Sequence, residues 1–197
     1  MRQGGTGHLR LYAKVPPERL GALIGGGGKV KEELMRRTRT KITIDSKSGM
    51  VIIEPEAPDV PPINLMKAQD FIKAVAHGFS PDKAFRVLDE DQMLVVIDLK
   101  QYVGDSPNHL SRVKGRIIGE GGKARKTLEE MTGTYISVYG DYVAIIGDYE
   151  QATAAREAIE MLIQGRRHAT VYRYLDRVMA RVKRKRMIEL WERPEEF

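Results

Sequence analysis

The stretch RVKGRIIGEGGKARKTLEEMTG begins at Arg112. It sets three glycines, Gly119, Gly121 and Gly122, at the head of a helix-like run, among Arg112, Lys114, Arg116, Lys123, Arg125 and Lys126. Glycine tolerates left-handed backbone and lets the chain approach a ligand closely. A helix N-terminus adds free N–H groups that favour an anion. The chemistry open to these residues at this spacing is phosphate binding, to either a nucleotide cofactor or a nucleic-acid backbone.

The stretch occurs twice. LIGGGGKVKEELMRRTRTKITID at Leu23 mirrors IIGEGGKARKTLEEMTGTYISVY at Ile117, an offset of 94 residues. From Ile24 to Asp45 the copies align without a gap, and nine of 22 positions are identical. A Walker A loop fails in both copies. It needs a glycine five residues before the Gly-Lys, where Leu23 and Ile117 stand, and Ser or Thr after it, where Val30 and Ala124 stand. The dinucleotide fingerprint fits Gly119, Gly121 and Ala124, but the first copy has Val30 in the last place, and RVKGRI is too charged for a buried parallel strand. The enzyme reading that uses Gly119 to Ala124 is therefore the weak one. A G-x-x-G loop that clamps a nucleic-acid backbone is satisfied by both copies, at Gly25–Gly28 and Gly119–Gly122. The x positions are Gly26 and Gly27 in one copy and Glu120 and Gly121 in the other.

The elements that must hold these loops follow from periodicity. In each copy a helix follows the glycines, with Val30 and Leu34, or Ala124, Leu128 and Met131, at helical spacing. Gly133 suits a left-handed stop. Ile42 and Ile44, or Ile136 and Val138, alternate as on a half-buried strand. SKSG and Gly140-Asp141 turn the chain into MVIIE and YVAII, and LRLYAKV and MLVVIDL read as opening strands. A closing helix places Ile63, Met66, Phe71 and Val75 on one apolar face in the first copy, and Ala155, Ile159, Leu162 and Ile163 in the second. The order is strand, short helix, glycine loop, helix, two strands, helix. This predicts an α+β fold, twice over, each with a three-stranded antiparallel sheet and helices on one face. The domains are expected at 1–79 and 92–165. Residues 80–91 are expected as a helical linker with Ser80 at its N-cap and Pro81 at N1, and 166–197 as a basic amphipathic helix and tail.

Composition narrows the classes. The chain of 197 residues has 42% hydrophobic residues and no cysteine, so disulfides, thiol nucleophiles and cysteine-based metal sites are excluded. His8, His77, His109 and His168 lack metal-ligand spacing and read as surface or capping residues. No apolar run suits a membrane span, and MRQGGTGHLRLY lacks a signal peptide's apolar stretch, so a cytoplasmic protein without metal or cofactor is expected. The net charge is +6, and it is uneven: residues 1–80 carry 13 Lys or Arg against 8 Asp or Glu, residues 81–165 carry 10 against 14, and residues 166–197 carry 10 against 5. The second glycine loop is thus a cationic cluster inside an acidic segment. Glu32–Glu33 and Glu129–Glu130 read as solvated helix charges. No nucleophile, base and orienting group converge, so no enzyme is expected.

With isoleucine before each loop, lysine after it, a helix, and then Thr-x-Thr-x-Ile, both halves resemble type I KH domains over nearly all of residues 8–165. The tandem arrangement with a basic helix after it is similar to the archaeal Dim-type (partner-of-NOB-like) factors of ribosomal small-subunit assembly. In eukaryotic members of that family the first glycine loop is degenerate; here it is intact as IGGGG. The resemblance implies single-stranded RNA as partner, in the 3′ region of 16S rRNA. It implies contacts from Ile24, Gly25, Gly26, Gly27, Gly28, Lys29 and Lys31, and from Arg112, Lys114, Arg116, Ile118, Gly119, Glu120, Gly121, Gly122, Lys123, Arg125 and Lys126. Ile24 and Ile118 would line an apolar groove with Ile42 and Ile136, although strand alternation makes about half of the strand residues core. The first domain is left to RNA, to protein (ribosome assembly or translation factors), or to both. A KH-fold protein-interaction scaffold is the alternative reading of the whole.

Beyond the repeats, Val171, Leu175, Val178 and Val182 form an apolar stripe expected to dock on a domain. Arg173, Arg177, Arg181 and Arg184 form a basic stripe on another face, with Lys185 beside it. Arg173, Arg177 and Arg181 are expected to contact phosphates without base choice.

Overall fold

The computed structural model describes residues 9–192, which fall into two compact units divided between Glu90 and Asp91. The first runs β1 (Leu11–Lys14), α1 (Pro17–Ile24), a single 3-10 turn at Gly26–Gly28, α2 (Lys29–Thr38), β2 (Thr40–Asp45), β3 (Met50–Pro55), α3 (Pro62–Ala76) and α4 (Pro81–Ala84), then a 3-10 turn at Phe85–Leu88. The second repeats the plan with additions: β4 (Gln92–Asp98), α5 (Lys100–Val103), α6 (Pro107–Ile118), a 3-10 turn at Glu120–Gly122, α7 (Lys123–Thr132), β5 (Tyr135–Tyr139), β6 (Tyr142–Asp148), α8 (Tyr149–Ile163) and α9 (His168–Glu192). Among the described residues no helix is long and apolar enough to cross a membrane.

Each sheet is antiparallel with its last strand in the middle, in the orders β1-β3-β2 and β4-β6-β5. The register brings Ile42 opposite Ile53 and Ala13 opposite Val51. In the second sheet Ile136 faces Ile145, and Val143 faces Val138 on one side and Ile97 on the other. The residues of the second set are packed in one core with Leu110, Ile117 and Leu128 from α6 and α7 and with Ala155, Ile159 and Leu162 from α8. Each fully buried Leu or Ile contributes about 1.5–3 kcal/mol.

Local chemistry sets the boundaries. Pro17, Pro62, Pro81 and Pro107 each open a helix at a position whose N–H has no helical partner. Ser80 holds the N-cap position before Pro81, but its side chain makes no capping bond. The start of α8 is a capping box: Gln151 N–H donates to the Asp148 carboxylate at 2.9 Å while the Gln151 side chain accepts from Asp148 N–H.

Three sequence expectations change. Ile63 and Met66 are both 53% exposed, and the buried face of α3 is Leu65, Ala68, Phe71, Ile72, Ala74 and Val75. The segment expected as a linker folds onto the first unit. The Phe85 ring lies 4.5 Å from Phe71, the Arg37 guanidinium sits over Phe85, and Lys67 donates to the carbonyls of Val87 and Asp89. Ala84 and Val87 are fully buried. Likewise α9 is part of the second core: Val171, Leu175, Met179 and Val182 are buried, and Val178 is only half-buried. Val178 and Met179 both fit the 3.6-residue period, and packing puts Met179 on the docked face. Residues 193–197 of the helix and tail expected at 166–197 lie outside the described residues.

The repeated Thr-x-Thr acquires a physical reason. Thr38 donates to the Leu34 carbonyl and bonds Thr40, each at 2.7 Å; Thr132 donates to the Leu128 carbonyl at 2.7 Å and bonds Thr134 at 2.8 Å. All four side chains are buried, so the hydroxyl pair ties a helix end to the strand that follows. The residue between them is left-handed: Gly133 at φ 71 in one copy, Arg39 at φ 52 in the other. Removing one hydroxyl leaves a buried partner unsatisfied, at about 1–3 kcal/mol. Thr132→Val is therefore expected to lower unfolding free energy by about that amount, whereas Thr132→Val with Thr134→Val costs no more than the single change. Denaturant melts of the three proteins measure this; a double variant whose loss is the sum of two large single losses overturns the pairing.

Candidate nucleic-acid interface

The two glycine loops have the same backbone. Gly25 and Gly119 stand at φ 73, ψ 169 and φ 72, ψ 174, a region that is essentially glycine's alone. Space also excludes any side chain. A Cβ on Gly25 would meet the Val30 side chain at 2.5 Å, and one on Gly119 would meet the Ala124 Cβ at 2.6 Å. Gly27 and Gly121 (φ 63 and 59) and Gly28 and Gly122 (φ 83 and 78) are also left-handed. Gly26, Gly27 and Gly121 face open space and are exposed, as is Glu120. Gly28 N–H closes back on the Gly25 carbonyl and Gly122 N–H on the Gly119 carbonyl. The amides of Gly26, Gly27, Glu120 and Gly121 are left without a hydrogen bond. Each loop thus presents free donors at the start of a helix, where the macrodipole favours negative charge.

The cations sort into two groups. Lys29, Lys31, Arg112, Lys123, Arg125 and Lys126 form no ion pair with any described residue. The Arg125 Nε is buried with no hydrogen-bond partner. Lys114 and Arg116, expected at the ligand, are engaged by the fold. Lys114 donates to the Gly140 carbonyl and the Asp141 carboxylate, at 3.1 and 3.3 Å. Arg116 Nε donates to the Leu162 carbonyl at 3.2 Å and its terminal nitrogen to the Arg166 carbonyl, which satisfies the end of α8. In the first unit Arg19 does the same for Val75 and Phe79 at the end of α3. His168 holds the Arg116 carbonyl at 2.8 Å, a structural role rather than a ligand's.

The apolar residues also divide. Ile24 and Ile118, directly before the loops, are half-buried and keep an accessible edge. Ile42 and Ile136, expected in the groove, are only 3% and 2% exposed and belong to the cores. They pair with the fully buried Ile53 and Ile145, beneath the helices. Ile44 and Val138, two residues further toward the hairpin turns on the same faces, are half-buried and retain the access. Glu129, read as a solvated charge, accepts the edge-strand N–H of Ile136 at 2.7 Å.

The loops differ electrically. A Cβ on Gly28 would lie 3.6 Å from a Glu32 carboxylate oxygen, so a carboxylate stands beside the last glycine of the first loop. The equivalent position in the second copy is Lys126. Arg36 and Arg37 on α2 are both paired with Glu33. On α9, Arg173, Arg177 and Arg181 are exposed and unpaired, whereas Lys185 pairs with Glu150 and Arg186 with Asp148 and Glu150 at the start of α8.

Comparison with known proteins agrees with this geometry. Residues 93–180 match the family model of the eukaryotic type KH-domain (KH-domain type I), and residues 11–58 match that of the KH domain. An Aeropyrum pernix protein of unknown function, solved as a crystal structure, is 62% identical with a TM-score of 0.92, over 95% of this chain and 99% of its own. A chain of the crystal structure of an a/eIF2alpha–aDim2p–rRNA complex from Pyrococcus horikoshii is 44% identical with a TM-score of 0.81, over 88% of this chain and 95% of its own. The RNA-binding protein pno1 of Drosophila pseudoobscura pseudoobscura is 33% identical over 85% of this chain and 71% of its own.

The hydrogen bonds from Arg36, then Arg37, hold the Glu33 carboxyl at about 2, below its ordinary value of 4.5. A lowered carboxylate pKa stabilises the fold fully above the ordinary value and loses that contribution as pH falls toward the native one, so the sensitive window is about pH 4.5 to 2. An NMR titration of the Glu33 carboxyl is expected to show its midpoint near 2, rising toward the ordinary range when Arg36 and Arg37 are both changed to Ala. An unmoved midpoint would mean that the two arginines are free for a ligand.

Proposed function

The chain belongs to the KH-domain family of PNO1/Dim2-type proteins, and from that premise we propose that it binds single-stranded RNA through its two glycine loops during assembly or maturation of the small ribosomal subunit. The observation that carries the proposal is the loop pair itself. In both units, a backbone that only glycine can adopt leaves two adjacent amides free and open at a helix N-terminus, beside unpaired lysines. Phosphates lie against those amides, and unstacked bases lie toward Ile24 and Ile44, or Ile118 and Val138. The resemblance to small-subunit assembly factors supports the 3′ region of 16S rRNA as the target and a cytoplasmic setting. The protein acts by binding and positioning RNA, not by catalysis.

The second loop is the stronger of the two. Lys123, Arg125, Lys126 and Arg112 are unpaired around it, whereas Glu32 stands against the first loop and competes with a phosphate. That carboxylate favours a second role for the first unit, in which it also receives a ribosome assembly or translation factor. The Pyrococcus complex that joins aDim2p and rRNA with a/eIF2alpha is consistent with it.

Asp-Asp in place of Glu120 and Gly121 is expected to weaken binding of single-stranded RNA more than Asp-Asp in place of Gly26 and Gly27. Both pairs are exposed, and Asp tolerates the left-handed backbone of Gly27 and Gly121 better than most residues, so circular dichroism is expected to stay unchanged and is measured alongside. Glu32→Lys is expected to strengthen the first loop's share, seen as a larger loss when Gly26 and Gly27 are then changed. Fluorescence anisotropy with a labelled single strand measures all of these. Equal losses from the two loops, or a larger loss from the first, would remove the ranking; no loss from either would remove the proposal.

A further inference from the structure

The outer face of α9 carries charge that the fold does not use. Arg173, Arg177, Arg181 and Arg184 are exposed and make no hydrogen bond or ion pair with any described residue. They step by four, four and three along one ridge, a length of about 16 Å at ~1.5 Å per residue. Asp176 is the acid beside them, in a shallow hollow with Thr170, Arg173 and Arg177. Like charges at these spacings oppose helix formation. The contrast within the same helix is informative, since Lys185 and Arg186 are matched by Asp148, Glu150 and Glu189. Where the structure needs cations on α9 it supplies their carboxylates, and along the ridge it does not.

The ridge has a shape as well as a charge. Val171, Leu175 and Met179 are the docked face, and each lies two residues, about 200° of helix rotation, from Arg173, Arg177 and Arg181. The arginines therefore point away from the core, on the outer side of a single helix. Single strands are held by concave basic grooves with aromatic platforms on which bases stack. Among the four arginines no aromatic ring lies open for stacking: Tyr172 and Tyr174 are half-buried, and Tyr174 donates its hydroxyl to Glu157, while the exposed Trp191 stands about two turns beyond Arg184. A regular row of guanidinium groups along one helix instead suits phosphates already ordered in space, as on a duplex, which proteins read by shape and backbone. The row is also fixed relative to the second glycine loop. His168 and Arg116 tie the start of α9 to the last turn of α6, directly before Gly119, and Arg166 and Arg167 are exposed at that corner.

We infer that the outer face of α9 binds the sugar-phosphate backbone of double-stranded RNA, so that the second unit recognises a duplex adjoining a single strand. The inference rests on the reading of the glycine loops as single-strand sites, and the experiment separates the two. The full chain is titrated by anisotropy with three RNAs: a short single strand, a blunt hairpin, and that hairpin carrying the single strand as a tail. The tailed hairpin is expected to bind at least about tenfold tighter than the single strand, because the second contact is intramolecular. Arg173→Glu, Arg177→Glu and Arg181→Glu together, with circular dichroism unchanged, should abolish hairpin binding, bring the tailed hairpin down to the single strand, and leave the single strand unaffected. The log–log salt slope for the tailed hairpin should become shallower by about two to three, at ~0.7–0.9 per lost phosphate contact. Gly121→Asp should do the converse, weakening the single strand and sparing the hairpin. An equal loss on the single strand and the tailed hairpin in the triple variant would make the ridge a single-strand track and overturn the inference. So would a hairpin that the unaltered protein does not bind, or a triple variant that binds all three RNAs as before. If the unaltered protein binds the hairpin but not the single strand, the loop reading fails while the ridge stands.

Discussion

The contact between the first glycine of each loop and the helix that follows it is the constraint on which the site depends. At Gly25 and Gly119 the backbone passes so close to Val30 and Ala124 that a single added carbon cannot fit. That approach lets one short helix end and a second begin within a single 3-10 turn. It also directs two amides outward instead of into a helical ladder, which is why each loop keeps unsatisfied donors on its surface. The cost of left-handed backbone at three positions per loop is acceptable only because all three are glycine.

Around that contact, charge is divided between cations that hold the fold and cations left without a partner among the described residues. Arg19 and Arg116, each on the helix that leads into its unit's glycine loop, complete the carbonyl ends of α3 and α8. They do so from positions that do not correspond in the repeat: at the offset of 94 residues Arg19 aligns with Val113, and Arg116 with Ala22. Glu33 occupies Arg36 and Arg37, and the start of α8 occupies Lys185 and Arg186. What remains unpaired is concentrated at the second loop and on the outer ridge of α9. Net charge alone would have assigned all these cations to one polyanion; only their partners separate them.

The α+β architecture, the duplication and the loops were legible in the sequence because each rests on local rules: helical and strand periodicity, proline at helix starts, and glycines at fixed spacing. The left-handed stop at Gly133 was legible for the same reason, and its counterpart at Arg39 was not, since arginine carries no such signal. The identity of Thr38 with Thr132 and of Thr40 with Thr134 was visible as a pattern. Its cause, a buried hydroxyl pair between helix and strand, needed coordinates.

Depth and partnership were decided by tertiary structure. Alternation predicts that Ile42 and Ile44, or Ile136 and Val138, share a face, but not that the helices cover the first of each pair and leave the second accessible. Periodicity marks Ile63 and Met66 as apolar without saying that no layer covers them, and it places Val178 and Met179 equally well until packing selects Met179. Lys114 and Arg116 read as ligand cations in the chain because their acceptors, at residues 140, 141, 162 and 166, are distant in sequence. The sequence by itself determined which residues could bind phosphate. Which of them are free to do so was decided by contacts between segments far apart in the chain, because a side chain's availability depends on the neighbours that folding brings to it.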